Sequence, residues 1–183
     1  MNKILSKVIF KIMGWKIVGN LTYPKRCLVI AAPHTSNWDF LIGRCYGYIM
    51  GITAKYLIKS ELFIPIIGTL LRANGGIAVY RNSSNNAVDQ IVSKYKDSHN
   101  FILGISPEGT RKRTQRWKTG FYHIASKLDV PILLLRIDYK KKEIGVCKQL
   151  KLSGNFNKDM SFIQEHFGVS QAKFPENYNP KIF

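Results

Sequence analysis

The chain has 183 residues, which is room for one globular domain with a sizeable core and too short for two. Hydrophobic residues make up 45% and charged residues 21%, which excludes a disordered chain. Lys and Arg outnumber Asp and Glu by 28 to 11, a net charge of +17, so an ordinary neutral surface is excluded and a polyanionic partner is implied: nucleic acid, an anionic membrane or a phosphorylated substrate. No apolar run reaches the length of about 18 residues that a membrane-spanning helix needs. Cys27, Cys45 and Cys147 are odd in number and widely spaced, which fits neither a disulfide framework nor a zinc ribbon and suits a reducing, cytoplasmic setting.

The amino end is wholly cationic, because no acidic residue precedes Asp39. Wound at about 100° per residue, Ile4, Leu5, Val8, Ile9, Ile12, Met13 and Trp15 share one broad arc, with Lys3, Lys7 and Lys11 opposite. Residues 1–20 are therefore expected to form an amphipathic helix that lies on a membrane, with Trp15 at headgroup depth. The alternative is a helix that packs on the domain and exposes its lysines. Residues 21–183 form the remaining unit. Strands are expected at Leu28 to Ala32, Ile52 to Ile58, Gly76 to Tyr80, Phe101 to Ile105, Ile132 to Ile137 and Ile144 to Leu152. Helices are expected at Ser36 to Met50, Asn85 to Lys96, Lys118 to Leu128 and Phe156 to Phe167, followed by a loosely ordered polar tail. Strands alternating with helices predict a single α/β domain: a mostly parallel mixed sheet flanked by helices, preceded by the amino-terminal amphipathic helix.

Pro33-His34-Thr35-Ser36-Asn37-Trp38-Asp39 is the strongest local signal. On one continuous helix His34 and Asp39 would lie about 140° apart and would not meet. They meet if His34 occupies the strand-to-helix loop and Asp39 the first helical turn, an arrangement that Pro33, Thr35, Ser36 and Asn37 favour as loop and capping residues. Asp39 would then fix the imidazole tautomer and leave the other ring nitrogen free to take a proton. A lone His and Asp at this spacing also occurs in plain capping loops. Ser106-Pro107-Glu108-Gly109-Thr110-Arg111 directly follows a strand, at the carboxyl end where open α/β sheets bind ligands. Gly109 permits a tight backbone path, Thr110 and Arg111 can hold a phosphate, and Glu108 can orient Arg111 or accept from a substrate hydroxyl. Arg81, just beyond the strand of residues 76–80, could clamp the same anion. A solvated basic surface remains the plain alternative for both.

Together these blocks carry a resemblance. His34-(x)4-Asp39, Gly76 to Arg81, Pro107-Glu108-Gly109-Thr110-Arg111 and Val130-Pro131-Ile132 resemble, in order, the four motif blocks of the glycerolipid acyltransferase family, that of the 1-acylglycerol-3-phosphate (lysophosphatidate) acyltransferases. Lys59-Ser60-Glu61-Leu62 and Trp117-Lys118-Thr119-Gly120 also look like family segments, and the resemblance spans residues 28–137. Pro33 stands where the family usually has Asn, Ser106 where it often has Phe, and Ala78 and Tyr80 where it commonly has Phe and Asp. The resemblance implies that residues 21–183 are an acyltransferase domain. It implies transfer of a fatty acyl group from acyl carrier protein or coenzyme A to a lysophospholipid hydroxyl, most readily that of 1-acyl-sn-glycerol-3-phosphate. His34 acts as general base oriented by Asp39, with no cofactor and no metal. Arg81, Glu108, Gly109, Thr110, Arg111 and Lys118 bind the acceptor. An acyl groove is sought around Leu62 to Leu71, which could equally be core. The expected location is the cytoplasmic face of a membrane, peripheral or monotopic, with an anionic surface and no nucleic acid as partner. The alternatives are the same chemistry on a lysolipid without phosphate, such as an amino-acid-linked lipid, a membrane-bound hydrolase, and a basic nucleic-acid-binding domain.

Overall fold

Short apolar runs that must be covered on both faces become the central strands. A computed structural model describes residues 2–19, 21–80 and 87–183. In chain order the elements are α1 (Lys3–Met13), β1 (Lys16–Ile17), β2 (Arg26–Ala32), α2 (Asn37–Met50), β3 (Lys55–Lys59), α3 (Ile67–Ala73), β4 (Gly76–Val79), α4 (Ala87–Tyr95), β5 (Phe101–Ile105), α5 (Gly120–Leu128), β6 (Ile132–Asp138), β7 (Glu143–Leu150) and α6 (Phe156–Gln164). They build one seven-stranded sheet in the order β1-β7-β6-β2-β5-β3-β4. All neighbouring pairs are parallel except β6 and β7, which form an antiparallel hairpin. The α/β expectation holds, and β1 is an addition too short for sequence to reveal.

The period of two in β2 and β6 divides the core. Leu28, Ile30, Ala32, Ile132 and Leu134 join α4, α5, α6 and the carboxyl-terminal segment on one face. Cys27, Val29, Leu133, Leu135 and Ile137 join Phe10 of α1, Trp15, and Ile42, Cys45 and Tyr46 of α2 on the other. The centre of the site follows from this order. After β2 the chain moves to the β5-β3-β4 side of the sheet; after β5 it crosses to β6 on the other side of β2. The carboxyl end of β2 is thus a switch point, where a crevice forms between diverging connections.

Two expectations need correction, and one alternative is excluded. Trp15 is buried against Phe10 and edge-on to Tyr139, at 5.1 Å between ring centroids, so it does not sit at a membrane interface. The cause is Gly14, whose φ of 72° ends α1 and turns the chain back: the Trp15 N–H bonds the Phe10 carbonyl at 2.9 Å. The apolar arc of α1 is divided in consequence. Phe10 is buried on the α2 side with Ile9 and Met13 half-buried, while Ile4, Leu5, Val8 and Ile12 face outward. The tail after α6 is ordered rather than loose. It carries one-turn 3-10 helices at Val169–Gln171 and Pro175–Asn177, and buries Ala172, Tyr178 and Ile182 in the core. The Ile182 carbonyl accepts from the Trp117 N–H, and Arg113 donates to the Tyr178 carbonyl. Finally, Leu62, Ile64, Ile66, Ile67 and Leu70 are all exposed, so the segment around α3 is not core.

The fully buried Ile182 gives a direct check on the tail. Ile182→Ala should cost about 2–4 kcal/mol in urea unfolding, the usual range for truncating a buried isoleucine. A loss below about 0.5 kcal/mol, the range of ordinary surface substitutions, would contradict a packed tail.

Candidate active site

The loop after β2 places His34 outside α2 and Asp39 in its first turn. Ser36 caps the helix: its Oγ accepts from the Trp38 N–H at 3.2 Å, and Asp39 Oδ2 accepts from the Ser36 N–H at 2.8 Å. The reciprocal pair is a capping box in which the helix-side member is the acid. Asp39 Oδ2 also accepts from the Thr35 N–H at 2.8 Å and lies 3.0 Å from His34 Nδ1. Its second oxygen, Oδ1, accepts from the Tyr139 phenol at 2.5 Å. A carboxylate 2% exposed therefore has donors on both oxygens. Since it accepts from Nδ1–H, the neutral imidazole presents an unprotonated Nε2 on a side chain that keeps 20% of its surface exposed. Burial pushes the Tyr139 phenol pKa far above its ordinary value, and the bond to Asp39 and that carboxylate's charge push it further, so Tyr139 stays a donor.

The loop after β5 reaches the same place, because β2 and β5 are neighbouring parallel strands. Glu108 Oε1 accepts from the His34 backbone N–H at 2.9 Å. Glu108 thus holds the backbone of the loop after β2, and its other oxygen, Oε2, is buried without a partner among the described residues. The expectation that it orients Arg111 is not met. Burial lifts its carboxyl to a pKa of about 7; the bond from His34 and the His34 charge oppose the rise, and the charge of Asp39 adds to it. Gly109 has a φ of 64°, and a Cβ there would approach Lys118 Cε to 3.0 Å, so the Lys118 stem covers the turn. Lys118 is further tied to the loop by its N–H to the Pro107 carbonyl at 2.8 Å. Thr110 and Arg111 are exposed, with the Thr110 hydroxyl accepting from the Lys112 N–H. Arg81 and the Asn85–Asn86 start of the expected helix lie outside the described residues. Beside the edge strand β4 a cleft of about 310 Å³ is lined by Phe63, Arg72, Ala78, Tyr80 and Lys94, so two further cations stand near the second motif block. The larger depression, about 580 Å³ against β7, shares no lining residue with the His34 loop.

Residues 16–137, two-thirds of the chain, match the family model for acyltransferases. The chain belongs to the acyltransferase family. No curated relative matches it by sequence. Its fold is similar to the crystal structure of PlsC, the 1-acyl-sn-glycerophosphate (LPA) acyltransferase of Thermotoga maritima, with a TM-score of 0.62 and 21% identity over 90% of this chain and 74% of that one. The family model ends before Tyr139 and before the tail, so two parts that close the site lie beyond the region by which this acyltransferase is recognised. Tyr139 gave no local signal: it is one of nine tyrosines, and its turn carries no motif.

The raised Glu108 carboxyl predicts a pH dependence. Its protonated form is favoured by folding, so its contribution is fully present below about pH 4.5 and is lost as pH rises through about 7. A Glu108→Gln variant keeps the acceptor for the His34 N–H and lacks the titration. Its stability relative to the parent should climb between pH 5 and pH 8 by an amount on the order of 3 kcal/mol, read from urea unfolding at each pH. A difference that stays flat over that range would contradict a neutral buried Glu108.

Proposed function

We propose that this acyltransferase moves a fatty acyl group from an acyl thioester to the free hydroxyl of 1-acyl-sn-glycerol-3-phosphate, giving phosphatidic acid. The observation that carries the reading is His34 Nδ1 held 3.0 Å from Asp39 on a ring that keeps 20% of its surface exposed; with the proton on Nδ1, Nε2 is the unprotonated nitrogen. There the nitrogen can take the proton of the acceptor hydroxyl as its oxygen attacks the thioester carbonyl. Asp39 compensates the imidazolium that forms. Collapse of the tetrahedral intermediate breaks the C–S bond, and the thiolate leaves as thiol with the proton from Nε2. A positioned base contributes about 10²–10⁴-fold in rate, and holding donor and acceptor together supplies much of the rest. Arg81, Thr110, Arg111 and Lys118 bind the acceptor phosphate in this reading, and Glu108 and Gly109 shape that pocket through the backbone. The similarity to PlsC, a 1-acyl-sn-glycerophosphate acyltransferase, supports a phosphorylated acceptor. Acyl carrier protein and coenzyme A are both acidic donors that a +17 surface would attract.

Membrane attachment belongs to the same proposal. No helix among the described residues is long and apolar enough to cross a membrane. Ile4, Leu5, Val8 and Ile12 instead form an outward stripe on α1, beside the exposed Lys3, Lys7 and Lys11. That pattern suits a helix lying in an anionic interface, where each cation contributes about 1 kcal/mol. The exposed residues from Leu62 to Leu70 provide a second apolar patch for the bilayer or an acyl chain. The location that follows is the cytoplasmic face of a membrane.

The test is acyl transfer in mixed micelles, with lysophosphatidate as acceptor and acyl-coenzyme A and acyl carrier protein donors in parallel. The parent should form phosphatidate, and His34→Ala should lower the rate at least ~10²-fold. Absence of product with both donors would overturn the acceptor assignment, and product undiminished in His34→Ala would overturn the base. In co-sedimentation with anionic vesicles, Val8→Glu with Ile12→Glu should weaken attachment about tenfold or more. Undiminished binding would exclude α1 as the anchor.

A further inference from the structure

Among the described residues, Asp39 is the one side chain hydrogen-bonded to the His34 ring, and what holds Asp39 decides where that ring points. Three of its four donors are local: His34 itself and the Thr35 and Ser36 N–H groups all bond Oδ2. They satisfy Oδ2 and supply no donor to Oδ1. The fourth donor comes from the other side of the crevice. Tyr139 begins the turn after β6, one hundred residues further along the chain, and its hydroxyl bonds Oδ1. The phenol is itself anchored from three directions. Trp15 packs edge-on against its ring, the Tyr139 backbone N–H donates to the Gln171 carbonyl at 2.9 Å, and Lys173 Nζ stands 5.8 Å from the ring centre.

We propose that Tyr139 is a positioning residue for the His34–Asp39 pair, setting the carboxylate plane so that His34 Nε2 faces the acceptor hydroxyl. The inference rests on the reading of His34 as general base. It gives the buried Trp15 and the packed tail a shared purpose, since both brace the ring that braces Asp39. It also explains why a turn without a motif carries a half-buried tyrosine bonded to an acid on α2. Tyr139 touches neither substrate nor the attacking nitrogen; it acts through Asp39.

The experiment is Tyr139→Phe, which keeps the ring on Trp15 and removes only the hydroxyl. Tyr122→Phe is the matched control. Tyr122, like Tyr139, donates its phenol to a buried acid, Asp159 Oδ2 at 2.9 Å, on the opposite face of the sheet and outside the site. Both variants should unfold at similarly lowered urea concentrations. Only Tyr139→Phe should lose kcat, by about 10–100-fold, with KM for lysophosphatidate changed less than about twofold. Its acid limb of kcat/KM should also move to higher pH. The charged groups bordering the pair are His34, Asp39, Glu108 on the His34 N–H and Lys173 above the Tyr139 ring; without the phenol, more of the Asp39 charge is left for the imidazolium. Equal losses of kcat in the two variants, or an unchanged kcat and acid limb in Tyr139→Phe, would overturn the proposal. If the parent transfers no acyl group to lysophosphatidate, the functional reading has failed. The ¹⁵N spectrum of the His34 imidazole then decides: a tautomer pattern changed in Tyr139→Phe and not in Tyr122→Phe supports the positioning role, and identical patterns contradict it.

Discussion

A carboxylate taken out of water must find donors for both oxygens, and Asp39 finds four: the His34 ring, two loop N–H groups and a phenol. Each donor comes with a structural consequence. The bond from Ser36 makes Asp39 part of the cap of α2, so the helix start and the imidazole orientation are fixed by one group. The bond from Tyr139 brings the end of β6 to the end of β2. The loop between is then completed by Glu108, which takes the His34 N–H from the β5 side. The crevice at the switch point is closed by side chains that satisfy one another, leaving Nε2 of His34 as the ring nitrogen that no described residue engages.

The same economy of donors explains the unusual chemistry of the neighbouring acid. Glu108 is as buried as Asp39 in kind but has one donor, the His34 N–H, and a second oxygen with none among the described residues. Two buried carboxyls in one site, one fully donated to and one not, separate their roles: the first is suited to compensate an imidazolium, and the second, its pKa lifted to about 7, holds a backbone. The charge of Asp39 adds to the rise at Glu108.

Much of this was legible in the sequence. The buried strands were visible as apolar runs, and Phe101 to Ile105 has its expected bounds. His34 in the loop and Asp39 in the first turn followed from helical geometry and the capping residues between them. What escaped was whatever depends on contacts distant in sequence. Tyr178 and Ile182 lie in a polar tail without periodicity, so nothing local marks them as core. Trp15 follows the amphipathic arc of α1 in sequence, yet Gly14 turns it inward. Glu108 was read with its neighbour Arg111, whereas its bond crosses to the next strand's loop. The Lys118 stem lies against Gly109, a contact that spacing along the chain does not reveal, and the exposed α3 segment is neither core nor a closed groove.

The central claim is that Asp39 holds His34 with Nδ1 protonated and Nε2 available. The most direct measurement is the pair of imidazole ¹⁵N shifts of His34, assigned among the four histidines by comparison with a His34→Gln spectrum. Above the titration of the ring, the account predicts a protonated-type shift at Nδ1 and an unprotonated, pyridine-like shift at Nε2. A dominant tautomer with the proton on Nε2 would mean that the nitrogen facing the acceptor cannot act as a base, and would contradict the mechanism.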